Sequence, residues 1–429
     1  AMRGLRHEWL IAASCLFYGL SGYQHLLVLL FGTAWVWIVS RRERFAGNGR
    51  LLTLAIVPPL FFLFYYKYMG FVFGIFGGGA AGTTDFELFS NISLPAGISF
   101  FTFHLLAFAI DRYNGKIQPH PPFKDFLLFM SFFPHLVAGP ILRYADVSAA
   151  IRNLPRFRID GNVLAPAFGH IAAGLAAKIL LADTLAKYIA QVTAEVGEVG
   201  FAGGMLVLGG YSFRIYFDFY GYSLVAIGLG LLFGFSFPKN FADPYKAPGI
   251  REFWRRWHMT LSFWIRDYLY LPLGGNARYV RNILIVFAAC GLWHGAGWGF
   301  IVWGIAHGVL VVLQHRFDTS WRRVPQLLRI VITFTAVSLL WTLFLFDLET
   351  AATFFRAMLG NGLRPEQVSA EAWAFLALAA VACFAFSFEK IAANEKGSGW
   401  LARNVVAGSL LALALIFLDR SDTFIYFRF

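Results

Sequence analysis

Charge is what this sequence has least of. Only 14% of its 429 residues are Asp, Glu, Lys or Arg, against about 25% in a soluble domain. The chain therefore lacks the polar surface that a soluble globular protein of this length needs. Cysteine is scarce as well: Cys15, Cys290 and Cys383 each lie in an apolar run. Their spacing excludes a disulfide framework and a cysteine-based zinc site. No HExxH helix, nucleophile elbow, P-loop or dinucleotide fingerprint occurs, so the chemistry that depends on those motifs is not indicated. Acidic residues number 24 against 36 basic ones, a net charge of +12. The basic residues are scattered between apolar runs, a pattern of membrane loops and not of a nucleic-acid patch. The short alternating segments of an outer-membrane barrel are missing. No cleavable signal precedes the first apolar segment, and the abrupt start at Ala1-Met2 is compatible with a missing first helix.

What is present is a succession of apolar runs, 58% of residues being hydrophobic and 18% aromatic. Several exceed the ~20 residues that span a bilayer. The expected fold is all-α: a polytopic transmembrane bundle of roughly nine to eleven spans with re-entrant and interfacial helices. Residues 1–429 read as a single integral-membrane domain, with a core at about 201–313. Arg41, Arg42, Arg44 and Arg50 mark a cytoplasmic loop, and a loop holding Asp85 and Glu87 is expected outside. Pro58-Pro59 predicts a kink in the third span. The stretch 126–142, interrupted by Pro134, Gly139 and Pro140, breaks the charge alternation and reads as re-entrant. The run 201–235 is too long for one straight span and predicts a break near Gly221. The run 282–313 has basic residues beyond both ends and a glycine-rich middle, so it predicts two half-length segments meeting near His294, which would place that residue deep in the membrane with both ends cytoplasmic.

Two histidines stand out. His294 lies within that apolar run, where an ionisable group is costly and a functional candidate. A neutral imidazole with a pKa near ~6.5 suits a general base, although a packed, hydrogen-bonded histidine is the plainer alternative. His258 falls in an amphipathic stretch in which a helix would align Trp254, Trp257, His258, Leu261, Ile265 and Tyr268 on one stripe. Such a helix suits the membrane interface. Asp218 and Arg214, four apart, suggest an intramembrane ion pair, and Asp111-Arg112 and Arg266-Asp267 are expected at the interface. His104, His135 and His307 are expected to hydrogen-bond between helices.

The stretches FWRRWHMTLSFWIRDYLYLPLGGN and GLWHGAGWGFIVWGIAHG closely resemble the membrane-bound O-acyltransferases, in particular the bacterial alginate O-acetyltransferase branch. LPAGISFFTFHLLAFAIDRY, FFPHLVAGPILRY, IYFDFYGYSLVAIGLGLLFGF, PKNFADPY and the terminal FIYFRF extend the resemblance over nearly the whole chain. It implies a ring of helices around a central funnel or tunnel in the bacterial inner membrane. It also implies transfer of an acyl group from a cytoplasmic thioester to a hydroxyl reached from the other face. The catalytic histidine would be His294, with His258 orienting the thioester or steadying the oxyanion. Lys246, Arg251, Arg255 and Arg256 are expected at the donor phosphates, with Trp293, Asn240, Arg266, Asp267, Tyr270 and Asp218 in support. One departure is Gly221-Tyr-Ser-Leu224 where the branch has GYSD, so an acidic group is lost. The expected donor is acetyl-CoA, with no permanently bound cofactor and no metal. Expected partners are membrane lipid and an extracytoplasmic polysaccharide-modifying protein, not nucleic acid. Transfer of D-alanine from a carrier protein to teichoic acid is the near alternative. A transporter or flippase with broken helices and a membrane scaffold are the distant ones.

Overall fold

Where water cannot satisfy backbone amides, helices close their hydrogen bonds within the segment. Every regular element described in the computed structural model is helical. The structure describes residues 5–76, 93–137, 139–386, 388 and 400–418. The acidic loop with Asp85 and Glu87, and the terminal FIYFRF, lie outside the described residues. Among the described residues, six helices are long and apolar enough to cross a membrane, and two shorter apolar helices follow near the C-terminal end. The protein is a polytopic membrane helical bundle.

The contacts divide the chain into two compact units, Ala1–Leu164 with Leu229–Pro238, and Ala165–Gly228 with Lys239–Phe429. The first unit contains α1 (Arg6–Gly19), α2 (Tyr23–Ser40) and α3 (Gly49–Leu63). Helix α3 continues through Pro58 and Pro59 into a wider π turn at Phe64–Tyr68, then α4 (Met69–Phe76). After α5 (Ile98–Tyr113) come α6 (Phe123–Ser131) and the single turn α7 (Phe133–Leu136), then α8 (Tyr144–Asn153). The break at Phe132 falls two residues before Pro134, which sits in the first turn of α7, where its missing N–H costs no helical hydrogen bond. At ~14 Å, α6 is too short to span, in keeping with the re-entrant expectation. In the irregular backbone that follows, Leu142 N–H donates to His104 Nε2 at 3.2 Å. His135 Nε2 lies 2.9 Å from the Phe129 carbonyl. Both histidines thus link neighbouring segments, as expected.

The second unit begins with α9 (Gly161–Leu175), which passes through a π segment at Ala176–Ala182 into α10 (Asp183–Val192). Helix α11 (Phe201–Leu232) is continuous for 32 residues. The expected break near Gly221 does not occur. Gly221 serves close approach instead: a Cβ there would sit 2.6 Å from the Gly174 carbonyl oxygen, and one on Gly174 2.6 Å from that of Gly221. The missing side chains let two backbones touch, which a kink would prevent. Next come α12 (Ile250–Arg256), α13 (Met259–Ile265), α14 (Tyr279–His294) and α15 (Trp298–Arg316). Helices α14 and α15 form a hairpin, crossing where a Cβ on Gly291 would strike the Phe300 carbonyl and one on Gly304 that of Phe287. The chain reverses at Gly295–Gly297 through extended backbone, so two segments meet at the glycine-rich point as expected, but they are not half-length: α15 alone is long enough to cross a membrane. The unit closes with α16 (Asp318–Arg323), α17 (Gln326–Leu345), α18 (Leu348–Gly360), α19 (Ala370–Ala385) and α20 (Trp400–Ile416).

Candidate active site

The single amphipathic helix expected over 254–268 is two. Trp257 leaves helical geometry at φ −99° and ψ 129°, and His258 takes the left-handed conformation, φ 43° and ψ 54°. Such a conformation is uncommon for a residue with a side chain and persists only where its surroundings enforce it. Here the enforcing element is the PKNFADPY loop. Met259 N–H donates to the Asn240 carbonyl at 2.9 Å, and Ala242 N–H to the Arg256 carbonyl at 3.0 Å. The loop thus takes over hydrogen bonds that a continuous helix would make, and His258 turns off the expected stripe.

Asn240 also decides the state of His258. Its Oδ1 accepts from Thr260 N–H at 3.3 Å and from the Thr260 hydroxyl at 2.9 Å. A backbone N–H can only donate, which identifies that amide atom as oxygen. His258 Nδ1 lies 3.0 Å from the same oxygen, so Nδ1 carries the proton and Nε2 the lone pair. Asn240 Nδ2 donates to Ser223 Oγ on α11 at 3.3 Å. Asn240, Ser223, His258 and Thr260 are all buried. The Phe219 ring meets His258 edge-on at 4.7 Å. His258 lies outside the membrane-spanning helices, and burial pulls its pKa down to about 3, which keeps the imidazole neutral.

His294 is the last residue of α14. The Trp293 indole joins the two histidines, with ring centroids 6.1 Å from His258 and 4.9 Å from His294. Trp303 and Phe344 flank His294 at 5.1 Å each. At 3% exposure the His294 ring is packed among these aromatic neighbours. His307 has the connecting role expected of it: its Nδ1 accepts from Trp254 Nε1 at 3.3 Å, joining α15 to α12.

The chain matches the family model described as MBOAT, membrane-bound O-acyltransferase family, over residues 15–346. It belongs to the membrane-bound O-acyltransferase family. Among curated relatives, it is 32% identical over 406 residues to the peptidoglycan O-acetyltransferase of Helicobacter pylori, covering 86% of this chain and 76% of that protein. It is 36% identical over 362 residues to the probable alginate O-acetylase AlgI of Pseudomonas aeruginosa, covering 82% and 67%. Identity to the teichoic acid D-alanyltransferase of Bacillus subtilis is 29% over 263 residues, covering 57% and 67%. Membership makes the protein an O-acyltransferase, the activity expected of the two long motifs.

Within this O-acyltransferase, the residues expected to act together divide into groups. Asn240, His258, Trp293 and His294 form one cluster. Arg266 pairs with its neighbour, Nε to Asp267 Oδ1 at 2.6 Å, and the Tyr270 hydroxyl donates to Asn276 Oδ1 at 2.7 Å, in the π segment Arg266–Tyr270 and the 3-10 turn at Gly275–Arg278. Lys246 Nζ lies 3.4 Å from Asp243 Oδ2. Arg251, Arg255 and Arg256 line a 540 Å³ cavity that neither Lys246 nor the two histidines line. Asp218 has a partner in Lys178, on the π segment before α10. Lys178 Nζ reaches Asp218 Oδ1 at 2.7 Å and Asp183 Oδ1 at 2.5 Å, all three buried. A lysine inside the apolar run GLAAKILLA carries the same signal as His294. Thr260 and Ser223 carried no comparable signal, because a hydroxyl in an apolar stretch is ordinary.

Proposed function

We propose that the protein moves an acetyl group from a cytoplasmic thioester, acetyl-CoA, to a hydroxyl of an extracytoplasmic polysaccharide or of a relay protein, in a bacterial inner membrane. His294 acts as general base on the acceptor hydroxyl. His258 accepts a hydrogen bond through Nε2 and orients the reacting groups. The observation that carries this reading is the pair of buried imidazoles on either side of one indole, one with its tautomer held by Asn240. A neutral base in a water-poor site needs no nearby carboxylate. A thiolate with pKa near ~8.5 departs without a strong acid. The longer coverage against acetylating relatives than against the D-alanyl transferase puts acetyl ahead of D-alanyl as the group moved.

The test is turnover of labelled acetyl-CoA by the purified protein with a polysaccharide acceptor. His294→Ala should lower kcat by about 10²–10⁴-fold, the range of a lost general base, with the detergent melting profile unchanged. Undiminished acetyl transfer by His294→Ala would remove the residue from the chemistry. Turnover of a D-alanyl carrier protein but not of acetyl-CoA would reassign the donor.

A further inference from the structure

The arginine-lined cavity adjoins a second, apolar one. Besides Arg251, Arg255 and Arg256, the 540 Å³ cavity is lined by Arg322 and Arg329, with only Glu252 and Asp318 opposing them. Five arginines against two carboxylates leave a surplus of three positive charges. Glu252 is shared by Arg255 and Arg256, and Asp318 is taken by Arg322. Arg329 Nε is buried with no hydrogen-bond partner among the described residues. Gln314 and Trp321 form a wall common to this cavity and to a 360 Å³ groove lined by Leu310, Leu313, Phe317 and Ile332. The groove lies along the C-terminal end of α15 and the N-terminal end of α17, two membrane-spanning helices. The arginines cluster where those spans end, and Arg255 and Arg322 side chains are 69% and 74% exposed.

From this arrangement we infer that the cavity and groove together hold an anionic phospholipid of the adjoining leaflet, its phosphate among the arginines and an acyl chain in the groove. Basic pockets at the ends of membrane helices recognise lipid phosphates through charge-assisted hydrogen bonds. Acetyl-CoA has phosphates for the arginines but no long hydrocarbon chain to fill the groove. Neither His258 nor His294 lines either cavity. The inference holds whatever the acyl donor is, so acyl transfer and lipid binding can fail separately.

Native mass spectrometry of the full chain tests it, using dioleoyl phosphatidylglycerol, phosphatidylcholine of the same chains, and CoA as competitor. One phosphatidylglycerol should remain bound per chain, retained at least tenfold over phosphatidylcholine. Each arginine near a lipid phosphate contributes on the order of a fivefold affinity change. Arg322→Gln with Arg329→Gln should therefore weaken phosphatidylglycerol about 25-fold. If the double variant does not fold, Arg322→Gln alone, at an exposed side chain, should give about fivefold. Leu313→Asn should weaken the dioleoyl lipid while sparing a dihexanoyl one. Equal retention of the two headgroups, or unchanged affinity in the arginine variants, would overturn the proposal. So would displacement of the lipid by equimolar CoA, which would return the cavity to the donor.

Discussion

Asn240 illustrates how one amide can set the chemistry of another side chain. With its oxygen already accepting from both donors of Thr260, it can only accept from His258, and the imidazole is left with Nε2 basic. Asn240→Leu removes that restraint, and kcat should drop by about 10²-fold or more, the scale of a misdirected acid–base group, with a smaller effect on KM. Asn240→Asp keeps the acceptor and adds a negative charge. Burial now holds the His258 pKa near 3, so the wild-type rate should be flat from pH 8 to below 6 on this group's account. A carboxylate alongside stabilises the imidazolium, raises that pKa and protonates Nε2 at higher pH. The acid limb of the pH–rate profile should therefore move toward neutrality in Asn240→Asp and not in wild type. An unshifted limb would leave Asn240 with only a packing role.

Among the elements, the pairing of α9 and the π segment after it with α11 is held by both backbone contact and charge. Gly174 and Gly221 bring the backbones together, and Lys178 bridges Asp183 and Asp218. Removing one member of a buried ion cluster leaves charge uncompensated, at a cost of about 3–5 kcal/mol. Lys178→Met should lower the thermal midpoint in detergent accordingly, and adding Asp218→Asn should recover part of the loss. Much of this layer was legible beforehand. The apolar run at 282–313 announced its reversal because glycines and flanking arginines mark a hairpin locally. The irregular stretch around Pro134 was legible for the same reason. Two features were not. Gly221 looks the same in sequence whether it bends a helix or admits a neighbour. The helix break at His258 is made by backbone hydrogen bonds from Asn240 and Ala242, residues on a separate loop that the periodicity of 254–268 cannot register.

At the scale of the molecule, charge bias and helix lengths combine into a topology. Helices α14 and α15, about 24 and 28 Å long at 1.5 Å per residue, run out and back, so Arg278 and Arg316 belong on one face. Cysteines placed singly at 278 and 316, in a background lacking Cys15, Cys290 and Cys383, should react with an impermeant maleimide from the same side of sealed vesicles. A cysteine at 195, at the other end of α10, should react from the opposite side. Labelling of 278 and 316 from opposite sides would break the hairpin assignment.

The amino-acid order alone determined that this chain lives in a membrane, that it is helical, and that two histidines sit where histidine is costly. Those properties follow from composition, run length and local pattern, which any stretch carries with it. Tertiary structure decided which nitrogen of His258 is basic, that Asp218 answers to Lys178, and that Arg322 and Arg329 join three arginines distant in sequence. Each of these depends on groups brought together across tens of residues, and no local pattern encodes a partner on another element.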